Sequence, residues 1–371
     1  MVLASKTVLS IPIIRGNEIN ITESEWTALN DNLSQIEIIQ LISDAMDEVP
    51  MPMREITYTE AMDDFEALQK LDVSSLITDG KTYSRYEYKY PLLDKYIDLN
   101  STGGKASDFF HQESRWMCDS LNSPSPYRTW TTEKFRKNML KNLWSMPTTR
   151  VDTARLRSCI ALRNYIASQF RPSAAKALYT YLGSKDVLDF SSGWGDRLAG
   201  FSACKHTESY TGNDPNTRLL NGYSQQIAAY DTDKAYRILN QPAEDLVLTQ
   251  QFDTVFTSPP YFDTERYSTD NTQSWKRYKK LNSWVEEFLC VAVYRAWNSL
   301  SVGGTLAINI ADTYGHHRRQ EMCDPMNDFI STLKGAEYQG ALGYRMAKRP
   351  NSAADKTGIF VEPIWCWRKS R

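Results

Sequence analysis

The sequence predicts an α/β protein with a doubly wound, mostly parallel, seven-stranded sheet and a largely helical N-terminal region. Two observations predict the sheet: short apolar runs recur through the second half of the chain, and helical patterns separate them. A third is that turn residues and carboxylates follow several of these runs, at the edge where open α/β sheets bind ligands. Five runs predict parallel strands and two predict a closing antiparallel pair: residues 186–190, 209–213, 235–239, 252–256, 305–310, 341–346 and 359–367.

The first predicted strand, 186–190, leads into the glycine-rich turn Ser191-Ser192-Gly193-Trp194-Gly195, and a helical run follows. A strand, a glycine turn and a helix form the nucleotide-binding βα unit. Because Gly193 and Gly195 have no Cβ, the backbone can approach a ligand closely there. Leu198 stands where the dinucleotide-binding fingerprint has its third glycine, so a tight turn without a ligand is the alternative.

Carboxylates follow the second and third predicted strands. Asp214 comes directly after 209–213 and lies 21 residues after Gly193. A carboxylate at this place can accept both ribose hydroxyls of a nucleoside cofactor, whereas the alternative is a turn that starts a helix. Strand 235–239 leads into Glu244-Asp245, two further carboxylates at the end of a predicted strand. The alternative to a role in ligand binding is that they only cap a helix.

The fourth predicted strand ends in Thr257-Ser258-Pro259-Pro260-Tyr261-Phe262. The Ser258 hydroxyl and the Pro259 carbonyl can accept the two N–H bonds of a planar amino group, and Tyr261 can stack on the ring that carries it. Proline fixes its own φ and restricts the residue before it, so these acceptors are aimed in advance. The alternative is that the two prolines only end the strand and have no role in catalysis.

The spacing Asp189-x-x-x-Gly193-x-Gly195, followed by Ser258-Pro259-Pro260-Tyr261, resembles the S-adenosylmethionine-dependent amino-methyltransferases of DNA over roughly residues 165–371. The resemblance implies the class I Rossmann-like methyltransferase fold, with S-adenosylmethionine as cofactor. It implies methyl transfer to the exocyclic amino group of a DNA base, either flipped out of a duplex or single-stranded. Serine at the first motif position slightly favours cytosine N4 over adenine N6, and both stay open.

The resemblance also assigns residues to roles. The expected catalytic residues are Ser258, Pro259, Pro260 and Tyr261. The expected cofactor-binding residues are Phe170, Pro172, Asp189, Ser191, Gly193, Gly195, Asp214, Glu244 and Asp245. The same motif serves methylation of amino groups in RNA, and a methyltransferase fold without activity can act as a binding subunit. These are the two alternative functions.

Charge is distributed unevenly along the chain, although the net charge is only −2. Residues 1–100 carry 18 acidic and 8 basic side chains, net −10, so the remainder, with 27 and 35, carries net +8. A basic catalytic part suits a polyanionic substrate, whereas ordinary solvated loops are the alternative. The expected substrate-binding residues are Phe262, Trp275, Lys276, Arg277, Lys279, Lys280, Arg318 and Arg319.

Length and composition predict residues 1–150 as a separate region, a candidate for target recognition or partner binding, and 151–371 as the methyltransferase domain. Amphipathic helices are expected over 24–46, 59–71 and 130–144. No signal peptide or apolar run of membrane-spanning length is evident, and the six cysteines are scattered. We therefore expect reduced thiols, no metal site and no membrane partner, in a bacterial cytoplasm or, for a viral protein, that of the host.

Overall fold

The computed structural model describes residues 11–163, 166–347 and 357–371. The chain divides into two compact units, one of Met1–Glu55 and Arg115–Ala167, the other of Ile56–Ser114 and Ser168–Arg371. The chain therefore crosses between the units three times, at residues 56, 115 and 168. This division differs from the single boundary that the sequence predicted at residue 150, because residues 56–114 belong to the unit that contains the large sheet.

The first unit is mainly helical and has its own hydrophobic core. The predicted helix 24–46 is two helices, because Ser34 begins the second: its hydroxyl accepts from the Glu37 amide, and the Glu37 carboxylate accepts from the Ser34 amide. The predicted helix 130–144 is likewise broken. The helices span Glu23–Asn32, Gln35–Ala45, Pro126–Thr131, Glu133–Leu140, Asn142–Ser145 and Thr153–Arg163, and the strands span Ile14–Arg15, Glu18–Ile19 and Asp119–Ser120.

The second unit is built on a ten-stranded sheet, nine strands of which form one continuous path. These are, in chain order, β1 Ile77–Asp79, β2 Leu92–Ile97, β3 Asp186–Asp189, β4 Ser209–Asn213, β5 Ala235–Leu239, β6 Phe252–Thr257, β7 Leu300–Asn309, β8 Ala336–Arg345 and β9 Ile359–Lys369. Their order across the sheet is β1-β2-β8-β9-β7-β6-β3-β4-β5, and Thr82–Tyr83 pairs with β9 off this path.

Strands β3 to β7 are mutually parallel, and β9 is antiparallel to β7 and β8. The connections run outward in one direction from β3 through β5 and in the other from β6, so β3 and β6 flank the topological switch point. Strands β3 to β9 are the seven predicted strands, and their order is that of the class I Rossmann-like methyltransferases. The predicted fold class is confirmed.

Three strands of the sheet come from the N-terminal third and were not predicted. β2 extends the sheet beside β8, β1 pairs with β2, and Thr82–Tyr83 pairs with β9. These strands are short, and most of their side chains are only half-buried. Because no apolar run marks them, the sequence pattern does not distinguish them from loops.

Helices cover both faces of this sheet. The helical stretch from Leu281 to Ser299 contains a π-helical segment, Trp284–Leu289. Gly303-Gly304 lies inside β7, where the pairing with β6 is irregular. The helices span Tyr58–Lys70, Gly104–Trp116, Pro172–Leu182, Asp196–Ser202, Leu220–Tyr230, Ser274–Arg277, Leu281–Ser283, Cys290–Ser299 and Cys323–Ser331. Two 3-10 turns lie at Thr217–Leu219 and Ala243–Asp245. Short strands lie at Glu265–Arg266, Thr313–Gly315 and Arg318–Gln320.

The sheet's core lies against the central strands and includes the fully buried Leu188, Val255, Leu306 and Trp365. The six cysteines are free and buried. Within the described ranges, no helix has both the length and the apolarity needed to cross a membrane. In that same part of the chain, no cluster of His, Cys, Asp and Glu could hold a metal ion.

Candidate active site

The predicted site residues follow neighbouring parallel strands. The glycine turn follows β3, Asp214 follows β4, and Glu244 comes five residues after β5. Ser258 follows β6, and β7 ends at Asn309. Because the carboxyl ends of parallel strands meet at one edge of a sheet, the topology brings these segments together across the switch point between β3 and β6.

A buried ion pair holds the glycine turn. Asp189 is fully buried, and Arg197 Nε donates to its Oδ2 at 2.8 Å. The Tyr210 hydroxyl donates to the same oxygen at 2.9 Å, and the guanidinium of Arg197 also donates to the Ser191 carbonyl. The Asp189 carboxylate is therefore saturated by protein donors. This geometry gives Asp189 the role of positioning the turn, and direct contact with a cofactor stays an untested expectation.

The two glycines of the turn serve different purposes. Both have left-handed backbones, with φ of +59° at Gly193 and +71° at Gly195. A Cβ on Gly193 would meet no atom closer than 3.9 Å, whereas a Cβ on Gly195 would lie 2.2 Å from Gln226 Oε1 and 2.8 Å from His111 Nε2. Close approach of a ligand, expected at both positions, is thus compatible with Gly193. At Gly195 the space belongs to buried protein side chains.

Asp214 is tied to the glycine turn. Its Oδ2 accepts from the Gly193 amide at 3.1 Å, and its Oδ1 accepts from the Asn216 amide at 2.9 Å. Burial raises the pKa of Asp214 to about 6, against the opposing effect of these two hydrogen bonds. Each carboxylate oxygen has two acceptor sites, so both retain capacity for a ligand hydroxyl.

Asn216 is a candidate site residue that the sequence reasoning treated only as part of a turn. Its side chain is buried, and its Oδ1 accepts from the Arg218 amide at 3.3 Å. Its Nδ2 has no hydrogen-bond partner among the described residues. A buried amide without a partner is costly, which makes Nδ2 a candidate donor to a ligand beside Asp214. The signal was available in the spacing Asp214-Pro215-Asn216.

After β5, Glu244 is buried whereas Asp245 is exposed. Arg277 bridges them: its NH1 lies 2.7 Å from Glu244 Oε1 and 2.8 Å from Asp245 Oδ2. Burial raises the pKa of Glu244. Arg277, expected among the substrate-binding cations, is therefore paired with the two expected cofactor carboxylates. This pairing reduces its availability to a phosphate.

The Ser258 hydroxyl donates to Asn309 Oδ1 at 3.4 Å, and Asn309 Nδ2 donates to the Pro363 carbonyl at 3.1 Å. The second bond fixes which end of the Asn309 amide faces Ser258. Because Ser258 directs its proton to Asn309, the lone pairs of its oxygen remain free to accept. The sequence reasoning missed Asn309, whose only signal is a polar residue at the end of an apolar strand.

Tyr261 and Phe262 have opposite environments. The Tyr261 hydroxyl donates to Glu362 Oε2 at 3.1 Å, and the tyrosine is half-buried. Phe262 has a φ of +50° and is only 4% exposed, with its ring centroid 5.9 Å from that of Trp284. The left-handed backbone turns the Phe262 side chain into the core, and its expected contact with the substrate stays a prediction.

Phe170 and Pro172 lie before and at the start of the helix Pro172–Leu182. The Phe170 ring stacks on Tyr344 with centroids 4.5 Å apart and meets Phe256 edge-on at 5.5 Å. Pro172 is buried in the first turn of the helix, where proline is favoured. Both positions are explained by packing, and their contact with a cofactor stays a prediction.

The other expected substrate-binding cations fall into two groups. Arg266, which was not predicted, and the predicted Lys276 and Lys279 surround the ring of Trp275, with charge-to-centroid distances of 5.0, 5.7 and 5.5 Å. Lys279 and the neighbouring Lys280 are exposed. This cationic group around an aromatic ring follows the Ser258–Tyr261 turn in the chain, and its contact with a substrate stays a prediction.

Arg318 is exposed, but its neighbour Arg319 is bound within the protein. The guanidinium of Arg319 lies 2.7 Å from the buried Asp312 carboxylate, and its centre lies 4.8 Å from the centroid of Tyr86. This pairing reduces the availability of Arg319 to a substrate, and its contact with the substrate stays a prediction. Arg318 and Arg319 look equivalent in the sequence, and only the fold shows that the buried Asp312 binds Arg319.

No protein-family model matches this chain, and no curated protein matches it. The solved structures that it resembles include an rRNA methylase from Streptococcus thermophilus, at 17% identity over 55% of this chain and 100% of that chain, with a TM-score of 0.36. A methyltransferase from Pyrococcus furiosus aligns at 13% identity over 53% and 84%, with a TM-score of 0.35. A magnesium protoporphyrin IX methyltransferase from Synechocystis PCC 6803 with bound SAM aligns at 9% over 53% and 78%, with a TM-score of 0.36. At these TM-scores the similarity carries no argument about function.

Proposed function

We propose that the protein transfers the methyl group of S-adenosylmethionine to the exocyclic amino nitrogen of a base in DNA. The observation that carries the proposal is the pair of acceptors at the end of β6, the Ser258 hydroxyl and the Pro259 carbonyl. The Ser258 proton is directed to Asn309, so its oxygen is oriented as an acceptor. Two adjacent acceptors on a rigid Pro-Pro turn suit the two N–H bonds of an amino group.

The residues across the switch point fit a nucleoside cofactor. Asp214 has acceptor capacity for two ribose hydroxyls beside Gly193, where no side chain obstructs the backbone. Glu244 is a buried carboxylate that can accept from the adenine amine, and Asn216 Nδ2 is a free donor within the described chain. When bound, S-adenosylmethionine supplies a methyl group that its sulfonium already activates.

The chain's own residues then act by positioning and electrostatics. Ser258 and the Pro259 carbonyl hold the amino hydrogens, which directs the nitrogen lone pair toward the transferred methyl group. The Tyr261 ring stacks on the base, which leaves a duplex at a cost of a few kcal/mol. No strong base is required at the nitrogen, since the methylated amino group releases its extra proton readily.

The direct test is incubation of the full chain with labelled S-adenosylmethionine and DNA, digestion to nucleosides and identification of the labelled nucleoside. N4-methylcytosine is slightly favoured over N6-methyladenine, because Ser258 occupies the first motif position. Label in RNA alone would redirect the proposal to RNA. No label in either, together with no calorimetric heat of cofactor binding, would indicate an inactive binding subunit.

A matched pair of variants localises the chemistry. Ser258→Ala should abolish transfer and leave the cofactor dissociation constant unchanged, because the hydroxyl belongs to the substrate side of the site. Ser224→Ala, an exposed serine on the helix Leu220–Tyr230, should change neither quantity. Full activity in Ser258→Ala would contradict the assignment of the turn.

A further inference from the structure

Strand β9, the last strand in the chain, is linked to the Ser258–Tyr261 turn once directly and once through Asn309 of β7. Asn309 of β7 lies opposite Ile364 of β9, so the residues before Ile364 extend past the end of that ladder toward the turn. The carbonyl of Pro363 fixes Asn309, which in turn accepts from Ser258. The next residue back, Glu362, accepts from the Tyr261 hydroxyl at 3.1 Å.

We infer that Glu362 is a positioning residue for amino methylation: its carboxylate fixes the Tyr261 phenol and thereby the ring face on which the base stacks. The inference rests on the proposed function. It assigns a role to a half-buried acid that lies outside both the glycine turn and the Ser258–Tyr261 turn. The Tyr261 ring stacks well on a base only when its orientation is fixed. The hydrogen bond of its hydroxyl supplies this restraint, because a ring without it also populates other orientations.

The charged and polar groups around Glu362 make the contact sensitive to pH. Burial raises the pKa of Glu362 to about 7, and the nearby Glu265 adds to the rise. The Tyr261 hydrogen bond and the positive charge of Arg171 lower this pKa in opposition. Tyr344 lies opposite Glu362 on β8, and the Tyr344 hydroxyl accepts from the Arg171 amide at 3.1 Å.

Ionised, the carboxylate accepts a charge-assisted bond from Tyr261, which is stronger than the bond to a neutral acid. Turnover should therefore fall as the pH decreases through about 7, where Glu362 takes up its proton. Glu362→Gln keeps an acceptor oxygen but cannot ionise. It should retain activity close to that of the native protein at low pH and should lack this inflection.

The test is a double-mutant cycle on kcat with Glu362→Ala, Tyr261→Phe and the combined variant. Each single change removes one partner of the same hydrogen bond, so each should lower kcat roughly tenfold, the effect of losing a hydrogen bond to a charged group. The combined variant should be no slower than either single variant, and Glu362→Gln should recover only the part of the loss that a neutral acceptor supplies, which is the rate of the native protein at low pH. The cofactor dissociation constant should stay unchanged throughout.

The outcomes separate the two claims. If the native protein is active but the effects of the two single changes on kcat are additive, the role of Glu362 is overturned and the proposed function stays intact. The same holds if Glu362→Gln keeps the pH profile of the native protein. Native protein that transfers no methyl group would overturn both. Because Tyr261→Phe and Glu362→Gln preserve shape, their thermal unfolding should match that of the native protein, which separates positioning from a loss of folding.

Discussion

The two halves of the site are held in different ways. The glycine-turn half, comprising Asp189, Gly193, Gly195, Arg197 and Asp214, is held by the hydrogen bonds Asp189–Arg197, Gly193–Asp214 and Gly195–Gln226, whose partners lie 8, 21 and 31 positions apart. The proline-turn half, Ser258 to Tyr261, is held by Asn309 and Glu362, which lie 51 and 101 positions away. The first half is thus secured by a buried ion pair and by residues nearer in the chain, whereas the second depends on β7 and β9, which lie further along the chain.

This difference predicts how each half fails. Damage to the glycine-turn half exposes or unpairs buried charge and should reduce stability as well as cofactor binding. Damage to the proline-turn half removes single hydrogen bonds of the half-buried Ser258, Tyr261 and Glu362 or of the buried but uncharged Asn309, and should reduce turnover more than stability. The following variants test that contrast, from the largest expected effect to the smallest.

Asp189→Asn should have the largest effect on folding. It leaves the buried Arg197 without its counter-charge, and breaking a buried pair in this way costs about 3–5 kcal/mol in the free energy of unfolding. The measurement is denaturant unfolding of the full chain. The control is Glu208→Gln, which breaks the exposed pair of Lys185 and Glu208 at 2.9 Å and should leave the unfolding midpoint unchanged. Equal shifts in both variants would refute the structural role of the buried pair.

Gly195→Ala and Gly193→Ala form the next pair. At Gly195 the new methyl group collides with Gln226 and His111, so the overpacking and the left-handed backbone together cost about 3 kcal/mol of stability. At Gly193 the backbone penalty alone, about 1 kcal/mol, remains. Gly193→Ala should instead weaken cofactor binding, because the methyl group occupies the side open to a ligand. Calorimetry and denaturant unfolding on both variants give the comparison, and a reversed order would show that the two glycines have been assigned the wrong way round.

The same contrast explains what the sequence could predict. Asp189, the glycines and Asp214 follow consecutive strands at short spacing, so a linear pattern identifies them together. Asn309 and Glu362 lie in predicted strands but received no role from the sequence, and the surroundings of Arg319 and Phe262 depend on a buried aspartate and on a left-handed residue that the pattern does not reveal. The strands of residues 77–97 were missed for a related reason, since half-buried strands acquire their identity from the sheet they join.

Asn309→Ala tests the proline-turn half. It removes the acceptor that orients the Ser258 proton and the donor to Pro363, so kcat should fall about tenfold, the size expected for one oriented hydrogen bond of the site. The cofactor dissociation constant should not change, because Asn309 touches neither the glycine turn nor Asp214. Steady-state kinetics beside cofactor calorimetry measures both. A loss confined to cofactor binding would place Asn309 in the other half.

Asp214 predicts a pH effect that belongs to the glycine-turn half. Burial raises its pKa from 3.8 to about 6, so the folded protein binds this proton more tightly than the unfolded chain does. Its contribution to stability therefore falls as the pH rises between those two values. Cofactor affinity should show the opposite trend, because the ionised carboxylate is the better acceptor for ribose hydroxyls. Calorimetry at pH 5 to 8 should detect weaker binding below about pH 6 in the native protein and a flat profile in Asp214→Asn.

Lys279→Gln should have the smallest effect and lies outside both halves. Lys279 is exposed and stands 5.5 Å from the centroid of Trp275, so it can neutralise a phosphate without any role in the fold. Loss of one phosphate contact lowers the slope of log affinity for DNA against log salt by about one and weakens binding alike for all sequences. Arg319→Gln is the matched comparison: because Asp312 holds this cation, its loss should leave the salt slope unchanged and lower the unfolding midpoint instead. If Arg319→Gln changes the salt slope and Lys279→Gln does not, then Arg319 rather than Lys279 is the cation available to DNA.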